Sequence, residues 1–125
     1  MSKKAVNKVI LLGNLGADPE LRYTGTGSAV LNFSLATSKD VKTAEGKWEE
    51  AADWHKATLW GKRAVSCSKY LKKGSRVYIE GILRPSTWKD KEGVSHKGTE
   101  IKVNDIKFLG GVNRVNESET SILAN

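Results

Sequence analysis

The sequence has one cysteine and two prolines, and it contains no long apolar run. A single cysteine, Cys67, excludes an intramolecular disulfide and any zinc site built from several cysteines. We expect it to be a small packed residue of a helix. The apolar stretch at residues 9–12 is only strand-sized, much shorter than a membrane span or a signal sequence requires. These absences predict a soluble, cytoplasmic protein without a membrane partner.

Residues suited to catalysis are also scarce. The two histidines, His55 and His96, lie far apart in the chain and have no cluster of carboxylates of the metal-ligand type near them. Asp53 lies close to His55 in the chain, but we expect no acid–base pair between them. The glycine turn at residues 25–27 lacks the lysine of a phosphate-binding loop. We therefore expect no catalytic residues, no metal and no cofactor.

The charge is of predominantly one sign. Lys and Arg number 21 against 14 Asp and Glu, so the formal net charge is +7. This excess favours a polyanionic partner, either nucleic acid or an anionic membrane surface. Charge alone is equally compatible with a soluble basic protein, so the assignment depends on where the aromatic residues lie.

The most informative stretch runs from Trp54 to Trp60. As a β-strand it places Trp54, Lys56, Thr58 and Trp60 on one face and His55, Ala57 and Leu59 on the other. A core strand would instead bury its tryptophans beside Leu59. Two aromatic rings on a cationic face suit a ligand that both stacks and carries negative charge, and single-stranded nucleic acid does both.

The remaining pattern predicts an all-β chain. We expect strands at residues 7–14, 29–37, 54–60, 76–84 and 99–109, the last with a bulge where its alternation changes phase between Val103 and Ile106. Residues 38–52 are interpreted as a long exposed hairpin connection, residues 62–73 as a helix and residues 88–93 as a hairpin tip after Pro85. Three strands, a short helix and two strands are the order of a five-stranded OB-fold barrel. This domain is expected to cover residues 1–111 and a short flexible tail residues 112–125.

Several segments in this order resemble the bacterial single-stranded DNA-binding protein family. They are Asn7-Lys8-Val9-Ile10-Leu11-Leu12-Gly13-Asn14-Leu15-Gly16, Asp18-Pro19-Glu20-Leu21-Arg22-Tyr23, Phe33-Ser34-Leu35-Ala36-Thr37-Ser38, Asp53-Trp54-His55, Tyr70-Leu71-Lys72-Lys73-Gly74-Ser75 and Val77-Tyr78-Ile79-Glu80-Gly81. The resemblance implies an OB fold, a homotetramer, and coating of single-stranded DNA without sequence preference during replication, recombination and repair.

The resemblance also implies roles for individual residues. Trp54, Trp60 and Trp88 match base-stacking aromatic positions, and His55 matches a position that supports subunit association. A further stacking tryptophan of the family has Val41 as its nearest equivalent here, and Trp48, later in the same loop, is the candidate replacement. From their places beside these aromatics, we expect phosphate contacts from Arg22, Lys56, Lys62, Lys73, Arg76, Arg84 and Lys89.

Two interpretations remain beside this one. A relative specialised for primosome assembly or for RNA would share the fold, the charge and the aromatics, and an OB-fold nuclease would share the fold. In the family, an acidic tip beyond the domain recruits replication and repair proteins. The usual tip is absent here, and Glu117, Glu119, Ile122 and Leu123 resemble it only faintly.

Overall fold

The computed structural model describes residues 4–109 of the chain. Its elements are, in order, β1 (Val9–Leu15), β2 (Glu20–Tyr23), β3 (Ala29–Lys42), β4 (Trp48–Trp60), α1 (Lys62–Ser68), β5 (Arg76–Lys89) and β6 (Ser95–Phe108). The expected boundary at residue 111 and the tail at residues 112–125 lie outside the described residues. No helix in the described part is long and apolar enough to cross a bilayer.

Five strands close into a barrel, which confirms the predicted OB fold. The order is β1-β5-β6-β4-β3, and β3 returns to β1 through the pairs Asn14↔Ala36 and Leu15↔Leu35. Strands β4 and β6 run parallel over a short stretch, and the other neighbours are antiparallel. Helix α1 lies between the third and fourth barrel strands, as predicted. The four-residue strand β2 was not predicted, because it is short and lies between a proline turn and a glycine turn; it extends the sheet beyond β3.

Alternating side chains of the strands fill the barrel. The largest fully buried side chains are Leu31, Leu35, Leu59, Val77, Ile79 and Ile106. Burial of each such side chain contributes about 1.5–3 kcal/mol relative to exposure. Ala64 and Cys67 of α1 join the same core, so the expectation that Cys67 is a packed residue is confirmed. The helix ends at Ser68, earlier than the predicted residue 73.

Four strands, β3 to β6, are longer than predicted. Residues 38–52 are not an irregular connection, because β3 and β4 stay paired as far as Lys42↔Trp48, with the turn at residues 43–47. Strand β5 continues through Pro85, which is tolerated because the last pair of β5 with β1 is Gly81↔Val9 and one edge of β5 is open beyond it. Trp88 therefore lies in β5, and the hairpin tip begins at Asp90.

The burial pattern confirms one detail of the prediction and corrects another. The bulge in the last strand is present, since Glu80 pairs with Asp105 and Gly81 with Val103, leaving Asn104 unpaired. Alternation from Val77 and Ile79 predicts that Leu83 points inward, but Leu83 is 48% exposed because it lies past the β1–β5 pairs.

The continuous apolar run at residues 9–12 predicts that β1 is buried. Instead Ile10 and Leu12 are exposed on its outer face, while Leu15 enters the core. The run is apolar on both sides, so its alternation could not show which side faces the interior. The outer face of β1 is therefore an apolar surface of the isolated chain.

Candidate nucleic-acid interface

Strand β4 carries the predicted aromatic face. Trp54 is 62% exposed and Trp60 is 37% exposed, while Ala57 and Leu59 lie in the core. Thr58 shares the outer face but is buried, because β4 is paired on both sides there, with Asn32 and Lys102. The prediction for this strand is confirmed for its aromatic residues and is wrong for the exposure of Thr58.

Trp54 rests on the turn that follows β1. A methyl group added at Gly16 would lie 2.0 Å from Cζ3 and 2.5 Å from Cη2 of the Trp54 ring. The indole therefore occupies the space that a side chain at residue 16 would need. Because glycine has no side chain, the Trp54 ring packs directly against the chain at residue 16, while most of the indole stays exposed to solvent.

Trp88 meets the same face from another strand. The Nζ atom of Lys56 lies 4.7 Å from the centroid of the Trp88 ring, within the range of a cation–π interaction. Trp88 is 44% exposed. The fold thus places Trp88 of β5, a predicted stacking residue, next to Lys56 of β4, a predicted phosphate contact.

His96 is a residue of this surface that sequence reasoning missed. It is paired with Trp88 across the β5–β6 hairpin, with ring centroids 5.5 Å apart and ring planes inclined by 22°. The turn signal between Asp90 and Gly93 could have shown this pairing. We had instead placed Trp88 inside the turn, where no cross-strand partner is expected.

Trp48 lies on the far part of the β3–β4 hairpin. It is 68% exposed and, six residues from Trp54 on one strand, falls on the same face by alternation. At about 3.3 Å per residue the two positions are roughly 20 Å apart. The cross-strand pair of Asp40 and Glu50 lies on this face between them, so acidic charge separates Trp48 from the other aromatics.

The predicted phosphate contacts fall into two groups. Arg22 pairs with Glu20, and Arg84 Nη2 lies 3.4 Å from Glu100 Oε1. Within residues 4–109, the side chains of the remaining five form no ion pair with a carboxylate: Lys56, Lys62, Lys73, Arg76 and Lys89. The backbone N–H of Lys73 donates a hydrogen bond to Asp18 Oδ1 at 2.8 Å. The two paired arginines are already partly neutralised.

His55 points away from the aromatic face. It is half-buried, and its Nε2 is hydrogen-bonded to Thr37 Oγ1 at 2.9 Å. The structure does not bring His55 and His96 into one site. In the part of the chain from residue 4 to residue 109, no group of three or more His, Cys, Asp or Glu residues is placed to hold a metal ion. Burial raises the pKa of the Cys67 thiol, although the charge of Arg63 opposes this.

Residues 6–109 match the model of the single-strand binding protein family. The chain belongs to this family. A single-stranded DNA-binding protein 1 from Chlorobaculum tepidum is 48% identical over 108 residues, which cover 86% of this chain and 67% of the relative. The family prediction is thereby confirmed.

A solved structure shares the fold as well. The Plasmodium falciparum SSB in complex with ssDNA aligns with a TM-score of 0.73 at 32% identity, over 87% of this chain and 99% of the other. That structure is a complex of the protein with single-stranded DNA. The match therefore agrees with the OB fold described above.

Proposed function

We propose that this chain binds single-stranded DNA without sequence preference and protects it during replication, recombination and repair. The main support for the proposal is the position of the Lys56 ammonium over the Trp88 ring. This contact lies on the same face of the barrel as the exposed Trp54. Aromatic rings stack on any base, and cations follow the phosphates, so neither contact reads sequence. The chain acts in this proposal as a non-catalytic binding protein of the cytoplasm, with residues 1–111 as its DNA-binding domain.

The stacking residues in this proposal are Trp54, Trp60, Trp88 and Trp48. The phosphate contacts are Arg22, Lys56, Lys62, Lys73, Arg76, Arg84 and Lys89. Support for this assignment comes from exposure, since all four tryptophans present ring surface to solvent. The acidic pair of Asp40 and Glu50 makes the contribution of Trp48 the smallest of the four.

The chain is further proposed to assemble as a homotetramer. Ile10 is 53% exposed and Leu12 is 45% exposed on the outer face of β1, an apolar surface that a second copy would cover. His55, which is half-buried and hydrogen-bonded to Thr37, would support the association. Sedimentation of the parent and of an Ile10→Asp variant tests this, because a charge at a covered apolar face lowers the mass of the assembly; an unchanged mass would contradict it.

Tryptophan fluorescence during titration with oligo-dT tests the binding function. We expect strong quenching in the parent protein, and weaker binding by about 1–3 kcal/mol for Trp54→Ala and for Trp88→Ala. Trp54→Phe is the matched control, because it keeps a stacking ring and retains most of the affinity. Competition between oligo-dT and the matched RNA oligomer separates this function from that of an RNA-binding relative, and we expect DNA to be preferred. Absence of quenching, with no loss of affinity in the alanine variants, would contradict the proposal.

A further inference from the structure

The β5–β6 hairpin ends in a chain of contacts that begins at Asp90. Its Oδ1 atom accepts hydrogen bonds from the backbone N–H groups of Glu92, at 2.9 Å, and Val94, at 3.0 Å. Its Oδ2 atom accepts one from His96 Nε2 at 2.8 Å. The bond from His96, followed by that from Val94, holds the pKa of Asp90 below its usual range. One carboxylate therefore fixes both the turn and the imidazole.

The fixed imidazole lies against Trp88. The two rings are stacked with their centroids 5.5 Å apart, close to the geometry that aromatic pairs prefer. The far end of the indole lies over Gly98, where an added methyl group would be 2.7 Å from Cζ3 and 3.0 Å from Cη2. On its own hairpin Trp88 thus contacts the stacked His96 imidazole and Gly98, in addition to the Lys56 ammonium of β4 over its ring.

These contacts matter because the ring lies near the end of a long hairpin. Trp88 is 44% exposed, and β5 has only β6 as its neighbour at that point. A side chain with so little surrounding packing would lose rotamer freedom when a base stacks on it. A ring already held in one orientation avoids much of that loss, which is the physical basis of preorganisation.

We propose that Asp90 and His96 are positioning residues, which hold Trp88 in the orientation that receives a base. The inference rests on the proposed function and deepens it, since it assigns the affinity contributed by Trp88 partly to two residues that need not touch DNA. His96 acts through its ring face, Asp90 acts through His96, and Gly98 leaves room for the indole.

A double-mutant cycle tests this with oligo-dT affinity at one salt concentration. His96→Ala should weaken binding by about two- to tenfold, the range expected for loss of one aromatic pair. In a Trp88→Ala background the same substitution should change nothing, because the ring it positions is gone. His96→Phe keeps a flat ring and should recover most of the loss. A full effect of His96→Ala in the Trp88→Ala background would mean that His96 acts on DNA or on the hairpin directly, and would overturn the proposal.

A second variant, Gly98→Ala, perturbs Trp88 through a different contact. Gly98→Ala should displace the indole, lower affinity and show the same dependence on Trp88. Ser95→Ala is the matched control, because Ser95 is exposed on the same hairpin and should leave affinity unchanged. If the parent protein fails to bind oligo-dT, the proposed function itself is wrong. If the parent binds and Trp88→Ala weakens binding, while His96→Ala and Gly98→Ala do not, only the positioning role is wrong.

Discussion

The ion pair between Arg84 and Glu100 provides a quantitative test of the cationic face. Their side chains are 41% and 19% exposed, and the charged atoms lie 3.4 Å apart. Single-stranded DNA releases counterions when cations replace them, with a salt slope of about −0.7 for each phosphate neutralised. An arginine that is already paired with a carboxylate contributes little to that slope. Glu100→Gln should therefore release Arg84 for a phosphate.

The expected size of the change follows from the remaining cations. With five unpaired cations in contact, log affinity should fall with log salt at a slope of about −3.5. Glu100→Gln should steepen this slope to about −4.2. The ratio of the affinity of Glu100→Gln to that of the parent protein should then be about five times larger at 0.1 M salt than at 1 M. Loss of one partly exposed ion pair should cost the fold about 1 kcal/mol or less.

The assay is fluorescence titration with oligo-dT across a tenfold range of salt. Glu49→Gln is the matched control: it makes the same change in net charge, but Glu49 is exposed on the opposite face of β4 from the tryptophans. We expect its slope to equal that of the parent. Two results would refute this assignment of Arg84: equal salt slopes for Glu100→Gln and Glu49→Gln, or weaker binding by Glu100→Gln at low salt. Either result would mean that the ion pair with Glu100 does not limit a phosphate contact of Arg84.

Three further predictions follow from single sites. Gly16→Ala should push the ring of Trp54 from its place and weaken oligo-dT binding, with little change in the thermal midpoint; unchanged affinity would contradict this. Leu31→Ala should lower the free energy of unfolding in urea by about 2–5 kcal/mol, because the side chain is fully buried, and a loss below 1 kcal/mol would contradict that. The hydrogen bonds from His96 and Val94 hold the pKa of Asp90 below its usual value, so the ionised carboxylate stabilises the hairpin at pH values above the pKa of Asp in the unfolded chain. This stabilisation should be lost as the pH falls through the lower pKa of the folded state. NMR signals of the hairpin should follow the loss, and Asp90→Asn should remove this pH dependence.

Much of the barrel could be predicted because its signals are local. The two faces of the strand from Trp54 to Trp60 follow from period-two alternation, and the bulge near Asn104 follows from a change in its phase. The order of strands around the single helix was enough to indicate the OB fold. The segments quoted above were enough to indicate the family, which the family match then confirmed.

The limits of strands were less predictable. Charged residues at 38–52 show no alternation, yet β3 and β4 remain paired through them, because a hairpin ladder depends on its partner strand more than on a buried face. Pro85 was expected to end β5. Its tolerance depended on the absence of β1 on one side, a fact about neighbouring strands that the residues around Pro85 do not contain.

The sequence by itself determined which residue types lie on each side of β4, because alternation is a property of one strand. Only the tertiary structure decided that Lys56 of β4 lies over Trp88 of β5. The turn near Asp90 is enough to indicate the hairpin pairs of Trp88 with His96 and of Arg84 with Glu100. The contact with Lys56 depends on the pairing of β4 with β6, which joins residues far apart in the chain. Register is set by the burial of all strands together, so no single segment of the sequence could have specified which cations and aromatics would share a surface.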